Sequence, residues 1–375
     1  MSEHRLRDLV DLLHGWYPPG TAESWDAVGL VHGDLDQPVR RVLLAVDPSP
    51  AVAQEAAEWD ADLLLTHHPL LLKPVHGFTS QTPKGRTLLT LGRAGCALLT
   101  AHTNADQALG GVSEAMAHAL GLTDLEPLVP APAAPTDKLG VMVPVGDAER
   151  VRAALAEAGA GRIGDYEHAS FSVRGEGRFR PTEGAQPTIG EVGRAEVVEE
   201  ERVEVVLPRA LRRRVVDALL AAHPYEEPAY DVVELADDGR SETGTGRVGT
   251  IEPTTLAGFA QRVAAALPET AHGVRVGGDL EREVRRVALC GGAGDFLLHG
   301  VRSRGDVDVY VTSDLRHHPA SEFLEHEGPA LVDVAHWAAE WTWLPVVRDR
   351  LVAALGDTVT TRVSTRCTDP WTARF

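Results

Sequence analysis

The chain has 375 residues, of which 43% are hydrophobic and 24% are charged, and its formal net charge is −19. This composition is typical of a globular protein, and the length allows two or more domains. No apolar run approaches the roughly 20 residues that cross a bilayer, and the excess of negative charge argues against binding to the nucleic-acid backbone.

The first predicted element is an amphipathic helix near the N-terminus. Leu6, Leu9, Val10 and Leu13 fall on one stripe at helical spacing. The segment lacks the uninterrupted apolar core of a signal peptide. The three cysteines of the chain are too few and too scattered for a disulfide framework. Together these features predict a cytoplasmic protein.

Residues 60–69 contain a short apolar strand that runs into two adjacent histidines. Residues 63–65 are all apolar, which is typical of a strand buried on both faces of a parallel sheet, and Pro69 cannot continue the ladder. Open α/β sheets bind ligands at the carboxyl ends of their strands, and imidazole is a common metal ligand. His67 and His68 are therefore candidate metal ligands. The alternative is a surface pair that caps the strand.

A second apolar strand, residues 96–102, also ends in polar side chains. His102 stands at its end, and Asp106 follows four residues later. Asp106 is a further candidate ligand, with a helix cap as the alternative. Asp26 and Asp47, which precede these strands in the sequence, are predicted to be structural caps that border the same cleft.

The middle of the chain differs from both ends. Residues 127–135 are rich in proline and predict an extended linker. From residue 138 to residue 235, strands and helices follow in the order strand–helix–strand–strand–helix–strand, which is the ferredoxin-like pattern. The glycine-rich stretches 175–181 and 237–246 are predicted to be loops.

Two short motifs in this middle segment could be mistaken for functional sites. Residues 223–228 combine a histidine and two glutamates, but the prolines on both sides predict a turn or a subunit contact. The basic run 212–214 predicts a solvated helix face, since it stands alone in an acidic chain.

The segment after the insert partly repeats the N-terminal one. Residues 39–47 resemble residues 284–290, and residues 60–69 resemble residues 306–319. The distance from the first valine to the aspartate is 21 residues in one copy and 22 in the other. Each copy predicts a right-handed βαβ unit, and two such halves can face each other across one cleft.

A third apolar strand, residues 330–335, leads to His336 and Glu340. These two residues are four apart, so on a helix they share one face. An ordinary pair on a helix face is the alternative to a ligand pair. Motifs that cradle nucleotides are absent from the sequence. No G-x-x-x-x-G-K-[ST] loop occurs, and residues 291–294 lack the remaining glycine spacing of a dinucleotide turn.

The candidate ligands comprise three imidazoles and two carboxylates. A single tetrahedral zinc site needs at most four protein ligands, whereas this set suits two divalent metal ions that share carboxylates. Mixed nitrogen and oxygen ligands favour Zn, Fe or Mn over Mg or Ca. The predicted metal ligands are His67, His68, Asp106, His336 and Glu340.

These motifs resemble those of the GTP cyclohydrolase 1 type 2 homologues, also called the NIF-three-like dinuclear metal-centre hexamer family. The resemblance rests on residues 24–30 with Gly33 and on the motifs at the predicted strand ends. Those motifs are residues 63–69, 102–106, 312–314 and 336–340. It covers roughly residues 1–126 and 240–355, and the insert looks like the CutA-like domain of the longer members.

The resemblance implies a toroidal hexamer with a dinuclear metal site that faces its interior. The family's ligand positions fall on the same histidines and carboxylates that the strand ends indicate. Ser313 and Ala335 stand where relatives often have glycine, so the local backbone shape is expected to differ there.

The predicted fold class is α/β. Duplicated βαβ halves form a metal-binding core, and a ferredoxin-like, CutA-like α+β domain is inserted between them. The predicted domains are residues 1–126, residues 127–240 and residues 241–375.

Two functions are expected for this organisation. The first is a metal-dependent hydrolase that acts on a nucleotide or a related phosphate-bearing small molecule. Asp314, His317 and His102 are then candidates for proton transfer or for orienting the ligands, with strand-end capping as the alternative. The second is a non-catalytic, metal-stabilised hexameric scaffold or regulatory interaction protein, in which the insert docks a partner.

Overall fold

The computed structural model describes residues 4–132, 134–236 and 241–375. In this part of the chain the strands are β1 (Gly29–His32), β2 (Arg41–Ala45), β3 (Leu63–Thr66), β4 (Ala97–Thr100), β5 (Thr123–Pro130), β6 (Thr136–Pro144), β7 (Phe171–Phe179), β8 (Glu196–Pro208), β9 (Tyr230–Glu234), β10 (Gly244–Thr255), β11 (Val274–Gly277), β12 (Glu283–Ala293), β13 (Val309–Ser313), β14 (Ala330–Val334) and β15 (Thr360–Val363).

The α-helices of the same residues are α1 (Leu6–Trp16), α2 (Pro50–Glu58), α3 (Pro83–Ala94), α4 (Thr103–Gln107), α5 (Val112–Ala119), α6 (Ala148–Glu157), α7 (Arg212–Ala222), α8 (Leu256–Ala266), α9 (Leu298–Arg304), α10 (His317–Leu324), α11 (His336–Trp341) and α12 (Trp343–Leu355). None of these helices combines the length and the apolar character needed to cross a membrane.

The chain divides into two compact units. The larger unit comprises Met1–Ala131 with Ser241–Phe375, and the smaller unit is Pro132–Arg240. The first boundary lies five residues after the predicted position 126/127, because residues 127–130 belong to β5, which pairs with β10. Prolines 127 and 130 are tolerated there because β5 is an edge strand.

The first sheet of the larger unit has the strand order β1-β4-β3-β2-β15. β15, β2, β3 and β4 run parallel, and β1 pairs antiparallel with β4 at the edge. Helices α2 and α3 form the crossovers that parallel strands require. β3 is buried along its whole length, and its alternating side chains enter two different cores, Leu63 and Leu65 on one face and Leu64 on the other.

The second sheet has the strand order β11-β14-β13-β12-β10-β5. β12, β13 and β14 run parallel, whereas β11 pairs antiparallel with β14. The run β11-β14-β13-β12 therefore has the same order and directions as β1-β4-β3-β2. One hydrophobic core joins the two sheets, since Leu65 and Val311 belong to it together with Trp343 of α12.

The N-terminal helix matches its prediction. In α1 the buried residues are Leu6, Leu9, Val10 and Leu13, which are the ones that form the predicted apolar stripe. They pack into the core that joins the two sheets. The helix is therefore part of the larger unit and covers one face of the first sheet.

The smaller unit is an antiparallel sheet with two helices. Its strand order is β7-β8-β6-β9, and α6 and α7 pack with the sheet around one apolar core. The elements follow the predicted strand–helix–strand–strand–helix–strand order. The prediction of a loop at residues 175–181 is wrong as far as residue 179, because this stretch pairs with β8.

The physical reason lies at Gly177. A Cβ at this position would lie 2.2 Å from the Glu200 carboxylate, so glycine here leaves room for that side chain and does not mark a turn. Of the second predicted loop, residues 244–246 belong to β10, and residues 237–240 lie outside the described residues.

Candidate metal centre

His67 and His68 lie immediately after β3, at the carboxyl end of the first sheet. The His67 ring is fully buried, and its Nδ1–H donates to the carbonyl of Ala101 at 3.0 Å. The His68 Nδ1–H donates to Asp47 Oδ1 at 2.7 Å. A carbonyl or a carboxylate can only accept, so in each neutral ring Nε2 keeps its lone pair.

Asp106 and His102 come from the end of the neighbouring strand β4. Asp106 lies in the short helix α4, with its Oδ1 atom 3.6 Å from His67 Nε2. His102 immediately precedes α4, and its Nδ1–H donates to Asp26 Oδ1 at 2.8 Å. Asp26 also accepts from the hydroxyl of Thr103 at 2.5 Å, which fixes the start of α4 against this carboxylate.

His336 and Glu340 come from the second sheet. They lie on one face of α11, which follows β14, and His336 Nε2 is 2.7 Å from Glu340 Oε1. The His336 Nδ1–H donates to Asp314 Oδ2 at 2.7 Å. The Asp314 backbone has φ +59°, a left-handed conformation that turns the chain just after β13.

The Glu340 carboxylate is the point where the two sheets meet. Its Oε1 atom lies 3.4 Å from His67 Nε2, and its Oε2 atom lies 3.1 Å from His68 Nε2. The side chains of the predicted metal ligands therefore converge, although residues 68 and 336 are far apart in the sequence. The ligand atoms of two overlapping triads lie within 4.8 Å of one another; these triads are His67, His68 and His102, and His68, His336 and Glu340.

The convergence leaves buried polar atoms without a hydrogen bond. In the cluster this holds for His67 Nε2, Asp106 Oδ1 and Glu340 Oε2; elsewhere among the described residues it holds for His14 Nε2 and Ser313 Oγ. Each unsatisfied buried polar atom costs about 1–3 kcal/mol. A divalent cation would satisfy them, since imidazole nitrogen and carboxylate oxygen are the donors that Zn, Fe and Mn accept. The donor set therefore fits a metal ion.

The charges of the cluster are coupled through Glu340. Burial opposes the charged form of Glu340, but the surrounding His68, His336 and His67 hold its pKa well below the usual range. Burial likewise opposes a charge on His336, yet Glu340 and Asp314 raise the pKa of His336 to about 10. The carboxylate at the centre is therefore ionised and attracts positive charge.

At the edge of the cluster the pKa of a carboxyl group is raised and that of an imidazole is lowered, which is the reverse of the shifts at Glu340 and His336. Burial raises the pKa of Asp106 to about 6. Burial and the neighbouring His67 lower the pKa of His102 to about 4. His102 is therefore a neutral imidazole beside the cluster, with Nε2 free to accept a proton or to bind a metal.

The three residues predicted to assist catalysis have different positions. His102 belongs to the cluster, and Asp314 contacts it through His336. His317 does not join them. It is the first residue of α10 and lines a separate cavity of about 400 Å³ with Arg275 and Asp333.

A cavity of about 630 Å³ opens over the cluster. Its lining includes His68, His102 and Glu340 together with two exposed aromatic side chains, Trp25 and Phe296. Phe296 could not be identified from the sequence, because a lone aromatic residue after a glycine run carries no pattern.

Gly292 is a further residue that sequence analysis missed. Its φ is +76°, and a Cβ at this position would lie 2.7 Å from Glu340 Oε1. The absence of a side chain at Gly292 therefore gives room to the Glu340 carboxylate. The position of Gly292 directly after the apolar core of β12 is the sequence feature that could have indicated this.

The fold and the site define a mixed α/β protein with a His/Glu cluster able to hold a metal ion. The chain matches the family described as Duf34/NIF3 (NGG1p interacting factor 3) over residues 4–370. It therefore belongs to the Duf34/NIF3 family.

Two relatives carry the name GTP cyclohydrolase 1 type 2 homolog. The Mycobacterium tuberculosis protein is 51% identical over 98% of this chain and 96% of its own length. The Bacillus subtilis protein is 39% identical over 88% of each chain.

Solved structures of similar proteins cover the whole chain. The structure of a Bacillus cereus protein related to NIF3 superposes with a TM-score of 0.80 at 38% identity and covers 99% of each chain. The structure of a Staphylococcus aureus protein gives a TM-score of 0.84 at 27% identity over the full length of both.

Proposed function

We propose that the chain is a metal-dependent hydrolase whose cluster holds two divalent cations of Zn, Fe or Mn. The observation that carries this proposal is the set of buried, unpartnered atoms on His67, Asp106 and Glu340. These atoms lie 3.1–3.6 Å from neighbouring histidine and carboxylate atoms without forming hydrogen bonds, an arrangement that suits ligand atoms gathered around a metal ion.

The proposed ligands are His67, His68, Asp106, His336 and Glu340. Glu340 is suited to bridge two cations, since its two oxygens face histidines from different segments. Divalent cations in such a site supply Lewis acidity toward a carbonyl or phosphoryl oxygen and lower the pKa of water.

The residues around the ligands orient them. Asp47, Asp314 and the Ala101 carbonyl each accept from an Nδ1–H, which fixes the ring and directs its Nε2 toward the centre. His102 is held in the same way by Asp26 and is neutral at physiological pH. We propose that the neutral His102 accepts a hydrogen bond from water or substrate at the cavity wall, and that Asp314 is a positioning residue for His336. The position of His317 in a separate cavity supports no role for it in this chemistry.

The proposed substrate is a nucleotide or a related phosphate-bearing small molecule. Trp25 is 57% exposed and Phe296 68% exposed at the cavity, and such faces suit stacking with a planar ring. No lysine or arginine is found among the described residues that line the cavity. The names of the Mycobacterium and Bacillus relatives add support for a purine nucleotide.

The finer organisation is proposed on the strand orders. We infer that the halves arose by duplication, because β11-β14-β13-β12 repeats β1-β4-β3-β2 in order and direction. The smaller unit is proposed to be a ferredoxin-like, CutA-like insert. The strand order β7-β8-β6-β9 supports this proposal. A hexamer with the metal site toward its interior is the proposed assembly.

Elemental analysis of the purified protein tests the metal proposal first. The wild type should contain transition metal above one equivalent per chain, and Glu340→Gln should lose most of it while keeping its circular dichroism spectrum. Metal contents that are equal in the two proteins would refute the site.

The reloaded protein is then assayed with GTP, other nucleotides and simple phosphoesters. Hydrolysis that disappears in Glu340→Gln supports the enzyme. A metal-loaded wild type that turns over none of these compounds favours the scaffold instead.

A further inference from the structure

The smaller unit contains a cavity of its own, which the proposed hydrolase chemistry does not use. It encloses about 360 Å³, a volume within the range of small-molecule sites. Its lining is mostly apolar and half-buried, with Met142, Phe179 and Ile189 among the contributing side chains. The motif at residues 223–228 forms one wall.

His223, the first residue of this motif, is not a metal ligand. Its Nε2–H donates to the carbonyl of Met142 at 2.9 Å, and its Nδ1 accepts from the backbone N–H of Tyr225 at 3.0 Å. Both ring nitrogens are therefore in use. Burial also lowers the pKa of His223, so the neutral ring is favoured. The histidine fixes a turn that presents Tyr225 to the cavity.

Tyr225 and Glu200 form the polar end of the cavity. The Tyr225 hydroxyl donates to Glu200 Oε1 at 3.1 Å, and Glu200 is only 8% exposed. Gly177 provides the space for the Glu200 carboxylate, as noted above. The carboxylate is thus seated at a defined position on the wall.

A loop that lines the cavity is hydrogen-bonded to the turn at residues 223–228. The backbone N–H of Gln186 donates to the Glu226 carboxylate at 2.9 Å, and the Thr188 hydroxyl donates to the carbonyl of Pro224 at 2.6 Å. These bonds tie the loop to the turn and bring Pro187 into the lining. The cavity is therefore built from two segments fastened to each other.

The lining holds three carboxylates against two guanidinium groups. Among the described residues, Glu200 has a neutral partner in Tyr225 and forms no ion pair. Arg178 at the rim pairs with Glu176 at 2.6 Å, and Arg180 donates to the Gly193 carbonyl at 2.9 Å. A buried carboxylate without a counter-ion is costly, so the cavity favours a positively charged occupant.

The aromatic walls favour the same kind of occupant. The rings of Phe179 and Tyr225 pack edge to face, with centroids 5.8 Å apart at 63°, and both residues line the cavity. Aromatic faces attract cations. We propose that this cavity binds a small organic monocation, a protonated amine on an apolar body, with Glu200 as its counter-ion.

The test uses three probes of one shape and different charge: 2-phenylethylammonium, neutral 2-phenylethanol and anionic phenylacetate. Isothermal titration of the full-length wild type should give affinities in that order, with the amine about ten-fold ahead of the alcohol. Equal affinities, or a preference for phenylacetate, would overturn the proposal without any variant.

Variants locate the site. Glu200→Gln should abolish the preference for the amine over the alcohol. Glu199→Gln, the same change at the adjacent and oppositely directed position of β8, should keep it. A preference that survives in Glu200→Gln would contradict the assignment. Glu340→Gln should bind the amine as the wild type does, so the result is independent of the proposed metal chemistry.

Discussion

The hydroxyl of Thr368 donates a hydrogen bond to Asp47, the carboxylate that orients His68. One oxygen of Asp47 accepts from His68 Nδ1–H, and the other accepts from Thr368, 321 positions later in the chain. The segment after β15 reaches this point because β15 runs parallel to β2, and the Ser364 N–H extends their pairing to Leu44. A late part of the chain thus supports an early ligand of the candidate metal centre.

Removal of Asp47 should weaken metal binding without unfolding the protein. Asp47→Ala leaves the His68 ring without its Nδ1 acceptor, and the loss of such a partner typically lowers metal affinity about 10–100-fold. Competition with a chromophoric chelator measures the change. Thr368→Val should have the same effect to a smaller extent, and Thr368→Ser, which keeps the hydroxyl, should match the wild type. Affinity within two-fold of the wild type in Asp47→Ala would contradict this role.

Alanine substitutions at two glycines of similar backbone conformation distinguish backbone strain from steric exclusion at the candidate metal centre. Gly292 has φ +76° and lies against Glu340, whereas Gly305 has φ +69° and open space around it. Alanine at either position should cost about 1–2 kcal/mol of unfolding free energy, because φ is positive. Only Gly292→Ala should also lose metal, as measured by elemental analysis. Equal metal contents in the two variants would show that the close contact with Glu340 is unimportant.

Metal removal should lower the thermal stability of the protein. A ligand that binds only the native state stabilises it by about 2.7 kcal/mol when its free concentration is 100 times Kd. The wild type should therefore melt at a lower temperature after treatment with a chelator, as followed by circular dichroism. Glu340→Gln, which lacks the central carboxylate, should melt at the same temperature with and without chelator. A wild type whose melting temperature is the same with and without chelator would argue against a bound metal.

Acid should destabilise the smaller unit through Asp137. Its carboxylate is 0% exposed and accepts from Arg212 Nε at 2.7 Å and from Arg209 Nε at 3.1 Å. These hydrogen bonds, that of Arg212 foremost, hold the pKa of Asp137 below its usual range. A group whose pKa is lower in the folded state stabilises fully above its unfolded pKa of about 4, and this contribution disappears as the pH falls through the folded value.

Asp137→Asn should therefore lower the unfolding free energy by about 2 kcal/mol at pH 7. The difference from the wild type should shrink as the pH falls below about 4. Urea unfolding at a series of pH values measures it. Asp217→Asn, at an exposed position of α7, should show neither effect. A difference that stays constant down to pH 2 would mean that the arginines do not stabilise the charged form.

The candidate ligands could be predicted because the rule for parallel strands is local. Polar residues directly after an apolar strand lie at the ligand-binding edge, whatever the sheet order. His67 and His68 follow β3 directly, whereas the other candidate ligands lie in the short helices α4 and α11 that follow β4 and β14. The structure brings all of these side chains together. Of the carboxylates that contact them, Asp314 is among the candidates that the sequence indicates for orienting a ligand. Asp47 and Asp26 look like caps until the tertiary contacts to His68 and His102 are known.

His317 illustrates the limit of the internal repeat. Residues 317–319 repeat the sequence of residues 67–69, but α10 has already begun at His317, whereas His67 follows β3 directly. The extra residues between strand and histidine move the ring to another cavity. The role of glycine-rich stretches is hard to predict from the sequence for a related reason. Gly177 and Gly292 make room for carboxylates across the fold, and composition alone does not distinguish this from a turn.

The split of the larger unit has a consequence for biosynthesis. The smaller unit is continuous in the sequence, so all of its strands and helices have been synthesised once β9 has emerged from the ribosome. In contrast, one edge of β2 is unpaired until β15 is translated. The contacts of His67 and His68 with Glu340 cannot form until residue 340 has been synthesised. We expect the smaller unit to fold first on the nascent chain, while the first sheet, which carries His67 and His68 of the candidate metal centre, stays incomplete until β15 has been translated.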